Sequence, residues 1–234
     1  MSDNSRLKVV VIGGGIAGAE LIRRALPGPY DITLIEPKNQ IECQALYPEY
    51  IACNASLEDL VAPLKPFCDR VGAELINERA VRLEGNRVIC DKSTVEYDLA
   101  VIATGAVQNY FGIHGSDKAF SVNTFSGAMR ARDYLERKSP EKIVIIGSGL
   151  TGVETACALS DSLNADISVV ETKNRLLPQF SENVSSIIEK TLFGKGVKTF
   201  VSMRVQEICE DSILFSDGQS LECDIAIWTG GIKP

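Results

Sequence analysis

The chain has 234 residues, of which 45% are apolar and 24% charged, and its formal net charge is -7. That is enough chain for one large domain or two modest ones, with an ordinary globular composition. The acidic balance argues against a nucleic-acid partner and against a basic membrane-binding patch, because both need clustered Lys and Arg. No apolar run approaches the roughly 20 residues of a membrane span. The opening MSDNSRLK lacks the apolar stretch of a signal peptide, so a cytoplasmic protein is expected. Seven cysteines stand at irregular spacing without metal-ligand pairs. An odd count without a secretory signal points to reduced thiols, mostly small buried apolar groups.

In chain order, the apolar run at 7–12 predicts a strand that ends at glycines. A helix is expected from Ile16 to Ala25, stopped by Pro27 and Gly28, and then a second strand over Asp31–Glu36. Residues 37–55 show no period and are read as a long loop. Ser56 and Asp59 form a capping-box pattern for a helix running toward Val71, interrupted by Pro63 and Pro66. Short strands with turns at Gly85-Asn86 and Asp91-Lys92 fill 73–97, and an apolar strand ends this half at Ala103-Thr104-Gly105. The second half repeats the plan. It predicts a strand at 142–146, a helix to about Leu163 and a strand over Asp166–Glu171. A helix opened by Ser181 and Glu182 follows, then a hairpin turn at Ser216-Asp217-Gly218 and a strand ending at Thr229-Gly230-Gly231. This is a domain-sized duplication with its boundary near 106–140. The expected domains are 1–110 and 111–234, joined by one crossing segment. The expected fold class is α/β: two Rossmann-like domains in tandem, each a three-layer β/β/α arrangement with helices on one sheet face and a meander on the other.

The duplicated element is G-x-G-x-x-G, carried by Gly13, Gly15 and Gly18 and again by Gly147, Gly149 and Gly152. In a strand-turn-helix unit the first glycine permits the tight turn. The second lets the backbone approach a pyrophosphate, and the third lets helix and strand pack. The anion is then met by unpaired N–H groups at the positive end of the helix. A carboxylate about 20 residues downstream can accept from the adenosine ribose hydroxyls. Glu36 follows Gly18 by 18 residues and Glu171 follows Gly152 by 19. Two complete constellations point to a protein that holds two dinucleotides and moves electrons between them. A carboxylate at Glu171 repels a ribose 2′-phosphate and so favours NADH over NADPH, although Lys173 and Arg175 nearby leave the phosphate open.

These residues resemble the two-dinucleotide-binding-domain flavoproteins, the FAD-dependent pyridine nucleotide-disulfide oxidoreductase superfamily. The resemblance covers nearly the whole chain. Within that group the stretches ALYPEYIACNASLEDLVAPL (45–64), ATGAVQNYFGIHG (103–115) and GSGLTGVETACAL (147–159) are most like type II NADH dehydrogenases. The resemblance implies FAD on the first fingerprint, NADH on the second, and hydride transfer onward to a small-molecule acceptor such as a quinone. By position it implies FAD contacts from Gly13, Gly15, Gly18, Glu36, Thr104 and Gly105, with Val81 by the adenine. It implies NADH contacts from Gly147, Gly149, Gly152, Glu171 and Gly230. Glu154 would face the nicotinamide-flavin junction as the catalytic candidate, and a helix-start carboxylate favoured by the dipole remains the other reading. Glu20 takes the matching place in the first half. Members of the group include peripheral proteins of the inner membrane face.

The disulfide-reductase branch fits poorly, because Cys43 and Cys53 are ten residues apart with Pro48 between them. A lone redox thiol at Cys43 stays open, and His114, the single histidine, is read as a surface loop residue. The resemblance also implies a returning segment that completes the FAD sheet and the quinone site. Without it, an open sheet edge and an incomplete flavin site are expected, with pairing to another chain as one remedy. A shortened enzyme, one piece of a split enzyme, a ferredoxin- or rubredoxin-type reductase, and a non-catalytic dinucleotide-binding module all remain as readings.

Overall fold

The computed structural model describes residues 6–234. The reading of the extreme N-terminus as carrying no signal peptide falls largely on residues 1–5, outside the described residues. In chain order the elements begin with β1 (Leu7–Ile12), α1 (Ile16–Ala25), β2 (Tyr30–Ile35) and β3 (Gln40–Glu42). Then come α2 (Tyr47–Ile51), α3 (Leu57–Leu60), β4 (Val61–Pro63), α4 (Leu64–Val71) and β5 (Glu74–Ile76). The strands β6 (Ala80–Glu84), β7 (Arg87–Cys90), β8 (Thr94–Glu96) and β9 (Leu99–Ile102) follow. Next are β10 (Val107–Gln108), β11 (Phe120–Ser121), α5 (Phe125–Lys138), β12 (Lys142–Ile146), α6 (Leu150–Ser162) and β13 (Asp166–Val170). The chain continues through α7 (Glu182–Gly194), β14 (Lys198–Phe200), β15 (Val205–Ile208), β16 (Ser212–Phe215), β17 (Ser220–Glu222), β18 (Ile225–Trp228) and β19 (Ile232–Lys233).

Two compact units result. One gathers residues through Cys43 with Val61–Ala106 and Pro234; the other gathers Gln44–Leu60 with Val107–Lys233. In the first, the sheet runs in the order β5-β2-β1-β9, all parallel. Strand alternation explains its layers. Val9 and Val11 point to one face and pack with Ile22 of α1 and Leu64 and Cys68 of α4. Val10 and Ile12 point to the other and pack with Val88 and Cys90 of the β6-β7-β8 meander. Helix α1 forms because Ala19 and Ile22 recur at helical spacing on its buried side, while Arg23 and Arg24 favour its negative C-terminal end.

The second unit repeats this with an extended sheet in the order β11-β18-β12-β13-β14, again parallel. Val144 and Ile146 meet the β15-β16-β17 meander through Val205, Ile213 and Phe215. Helix α6 packs along β12 and β13. In both units the glycine-loop strand lies between the strand that ends before the carboxylate and the strand that ends before the small-residue exit. The expected α/β three-layer, Rossmann-like architecture is what the chain adopts.

Three local readings differ from the structure. Residues 37–55 are not a continuous loop, since β3 and α2 lie there, with Pro48 at the start of α2 where its missing N–H costs nothing. The helix expected toward Val71 is two helices, α3 and α4. They are separated by β4, which pairs antiparallel with β3 and ends at Pro63, the residue before α4. Helix α5 lies in the stretch taken as a boundary. Its Thr124 hydroxyl accepts from the Gly127 N–H at 3.1 Å, and Ala128, Ala131 and Leu135 form its buried stripe. No helix among the described residues is long and apolar enough to cross a membrane.

Candidate functional site

Each unit carries a glycine cradle at the carboxyl end of its sheet. In the first unit Gly13 has φ +111°, and a side chain there would collide with Ala103 and with the Thr104 N at 2.9 Å. The crossing at Ala103-Thr104 thus requires glycine opposite it. Gly18 lies against the Gly13 carbonyl, which fixes α1 on the loop. Gly15 has nothing within 4 Å of where its side chain would stand. It is the N-terminal residue flanking α1 and has no side-chain cap, so no side chain at that position takes up the first N–H groups of the helix.

The second unit reproduces each feature. Gly147 has φ +105° and a side chain there would lie 2.8 Å from the Gly230 Cα. Gly152 rests on the Gly147 carbonyl, and the Thr229 hydroxyl bonds the carbonyls of Ile146 and Gly147 at 3.0 and 2.9 Å. Gly149 again has nothing within 4 Å of where its side chain would stand, and it flanks the start of α6 without a side-chain cap. A methyl at 15 or 149 would fill space that nothing else in the chain occupies. The two cradles therefore fit a diphosphate, which needs close backbone approach and free N–H donors.

The carboxylates complete the match. Glu36 accepts from Gly14 N at 2.7 Å and from Lys38 N at 2.9 Å, while Asn77 holds the backbone carbonyls of Glu36 and Lys38. Glu171 accepts from Ser148 N at 3.0 Å, Ser148 Oγ at 2.7 Å and Lys173 N at 2.7 Å. Each carboxylate is thus tied to the residue after the first glycine of its own loop. Neither Lys173 nor Arg175 pairs with Glu171 through its side chain. Arg175 reaches Ser185 Oγ at 2.7 Å and the Pro178 carbonyl at 3.0 Å.

The other sequence-predicted residues are distributed as follows. Thr104 and Gly105 follow β9, and Gly105 has φ +72°. Val81 stands on β6 of the meander, exposed. Glu154 is exposed on the first turns of α6. Glu20 is not equivalent to it in environment. Arg23 Nε at 2.7 Å and Arg24 Nε at 2.5 Å bond Glu20 and hold its carboxyl down at about 2. His114 is exposed and faces Glu207 at 2.8 Å. All seven cysteines are free, and burial pushes the thiols of Cys53, Cys68, Cys90, Cys157 and Cys223 upward, away from the reactive thiolate.

Sequence reasoning missed a cavity of about 550 Å³ in the second unit, beside Glu171. Trp228, Met203, Arg204, Val205 and Phe111 help line it, together with Gly147 and Gly230. Its one legible signal was Val205, which stands at the start of the second meander as Val81 stands in the first.

A model of the pyridine nucleotide-disulphide oxidoreductase family matches residues 7–234. The chain belongs to that family. It is 27% identical over 238 residues to the NADH dehydrogenase-like protein YutJ of Bacillus subtilis, covering 97% of this chain and 66% of that protein. It is 26% identical over 263 residues to the type II NADH:quinone oxidoreductase of Staphylococcus epidermidis, covering 97% and 65%. The chain thus spans about 65% of the length of these curated family members. Reduced Bacillus anthracis CoADR-RHD superposes with a TM-score of 0.87 at 20% identity, covering 97% of this chain and 44% of that one, a likeness of fold.

Proposed function

We propose that this protein is an FAD-dependent NAD(P)H oxidoreductase that passes reducing equivalents from NADH through FAD to a small-molecule acceptor such as a quinone. The observation that carries the proposal is the pair of cradles, each with an open second glycine, an uncapped helix start and a tethered carboxylate. Residues 1–110 are assigned to FAD and 111–234 to NADH, with 44–60 grouping with the second unit. Gly13, Gly15 and Gly18 hold the FAD diphosphate and Glu36 its ribose. Thr104 and Gly105 line the exit strand, and Val81 borders the adenine. Gly147, Gly149 and Gly152 hold the NADH diphosphate, Glu171 the ribose, and the cavity by Trp228 and Met203 the adenine end, with Gly230 in its lining.

When bound, the cofactors supply hydride transfer from nicotinamide C4 to flavin N5. The chain contributes position and charge. Helix starts neutralise the diphosphates, and the Glu171 carboxylate disfavours a 2′-phosphate, so NADH is preferred over NADPH. Glu154 is assigned to the nicotinamide end, where it positions the ring or holds a proton. The compartment assigned is the cytoplasm, with a small-molecule acceptor rather than a nucleic acid as partner. Support for the quinone comes from the similarity to a type II NADH:quinone oxidoreductase.

The test is the visible spectrum of the purified protein before and after NADH. A flavin band that bleaches with NADH and returns with a soluble quinone supports the proposal. Return only with a ferredoxin or rubredoxin moves the acceptor to a protein. A colourless protein that NADH nevertheless stabilises against heat identifies a dinucleotide-binding module instead.

A further inference from the structure

The two carboxylate clamps are built differently. At Gly14 a side chain would meet the Glu36 Cγ at 2.9 Å and the Leu64 Cδ2 at 3.0 Å, so the position has no room for one and offers Glu36 only its backbone N–H. At the matching position of the second loop stands Ser148, fully buried. Its hydroxyl donates to Glu171 Oε2 at 2.7 Å, beside its own N–H at 3.0 Å on the same oxygen. Its carbonyl accepts from Leu177 N at 3.1 Å, which ties the loop to the turn after β13.

A carboxylate offers about four acceptor sites. Glu36 uses two of them within the chain, one on each oxygen. Glu171 uses three, two on Oε2 and one on Oε1 from Lys173 N. The free acceptor capacity of Glu171 is therefore concentrated on Oε1. The third donor also removes the side chain's freedom to swing aside.

We infer that Ser148 is a positioning residue for cofactor choice: its hydroxyl locks Glu171 as a fixed anion that takes a ribose 2′-hydroxyl and rejects a 2′-phosphate. This rests on the second cradle holding NADH. Pre-ordering the acceptor lowers the cost of immobilising it on binding. A carboxylate released from that lock can rotate away from an incoming phosphate, so discrimination falls together with affinity.

The experiment measures dissociation constants for NADH, NADPH and the 2′-deoxyadenosine analogue of NADH, by calorimetry, on wild type, Ser148→Ala and Ser148→Gly. Glycine is compatible with this loop, because the first unit has one there. The expected result is about five- to tenfold weaker NADH binding in both variants, consistent with losing one charge-assisted hydrogen bond in part. The deoxy analogue should bind the variants within about twofold of wild type, and the NADH-to-NADPH preference should shrink. Equal weakening of NADH and its deoxy analogue would mean a merely structural role and overturn the inference, as would unchanged NADH affinity. Wild type that binds neither nucleotide would overturn the underlying assignment of the cradle instead.

Discussion

The second and third glycines of a cradle should fail in opposite ways when changed to alanine. Gly149→Ala adds a methyl with no neighbour within 4 Å, at φ -65° and ψ -180°, a conformation alanine accepts. Folding should be indifferent to it, with a melting temperature within about 2 °C of wild type. The methyl fills the approach of the diphosphate, so NADH affinity should fall at least about tenfold, roughly the loss of one good contact. Gly152→Ala places its methyl 2.8 Å from the Thr229 hydroxyl and still closer to the Gly147 carbonyl. An ordinary contact begins at 3.4 Å, so the shortfall to Thr229 alone is 3.4 − 2.8 = 0.6 Å. Helix α6 must move away from β12 and β18, at a cost of about 1–3 kcal/mol. For a chain of this size that is a melting temperature lower by roughly 2–12 °C. Differential scanning calorimetry and NADH titration on the same samples read both quantities. The reasoning is refuted if Gly149→Ala binds NADH normally, or if it melts as early as Gly152→Ala.

Three further outcomes are expected. Thr155 is fully buried on α6 and its hydroxyl has no hydrogen-bond partner among the described residues, so Thr155→Val should stabilise by about 1 kcal/mol in urea unfolding; a loss of stability would show that the hydroxyl is satisfied. Burial raises the Cys223 thiol from 9.0 to about 11, so its stabilising contribution is whole below pH 9 and is lost as pH rises through about 11. Cys223→Val should therefore flatten the fall in urea midpoint between those values, and an unchanged slope assigns the fall to other groups. Glu154→Gln should slow flavin reduction by NADH in stopped flow by about tenfold or more while leaving the NADH dissociation constant within about twofold; equal rates would remove Glu154 from the chemistry.

Much of this was legible because glycine punctuates it. The strand at Leu7–Ile12 and the helix at Ile16–Ala25 begin and end where the sequence pattern puts them, since the loop between them admits few alternatives. The carboxylate spacing was readable for the same reason. Helix α5 was not anticipated, because its buried stripe is made of alanines and one leucine, Leu135, among arginines and lysines. The Thr124 cap was its one local signal. The split between α3 and α4 depends on β4 pairing with β3, a partner some twenty residues away that no local period shows. The buried donor at Ser148 and the cavity wall at Trp228 are likewise products of contacts distant in sequence.

Trp228 has a practical consequence. It is the chain's single indole, it is buried, and it forms part of the wall of the cavity beside Glu171, its Nε1 donating to the Asn109 carbonyl at 3.0 Å. Reduced nicotinamides absorb where indoles emit. The protein therefore carries its own ultraviolet reporter in the wall of the second cradle, one that needs no attached dye.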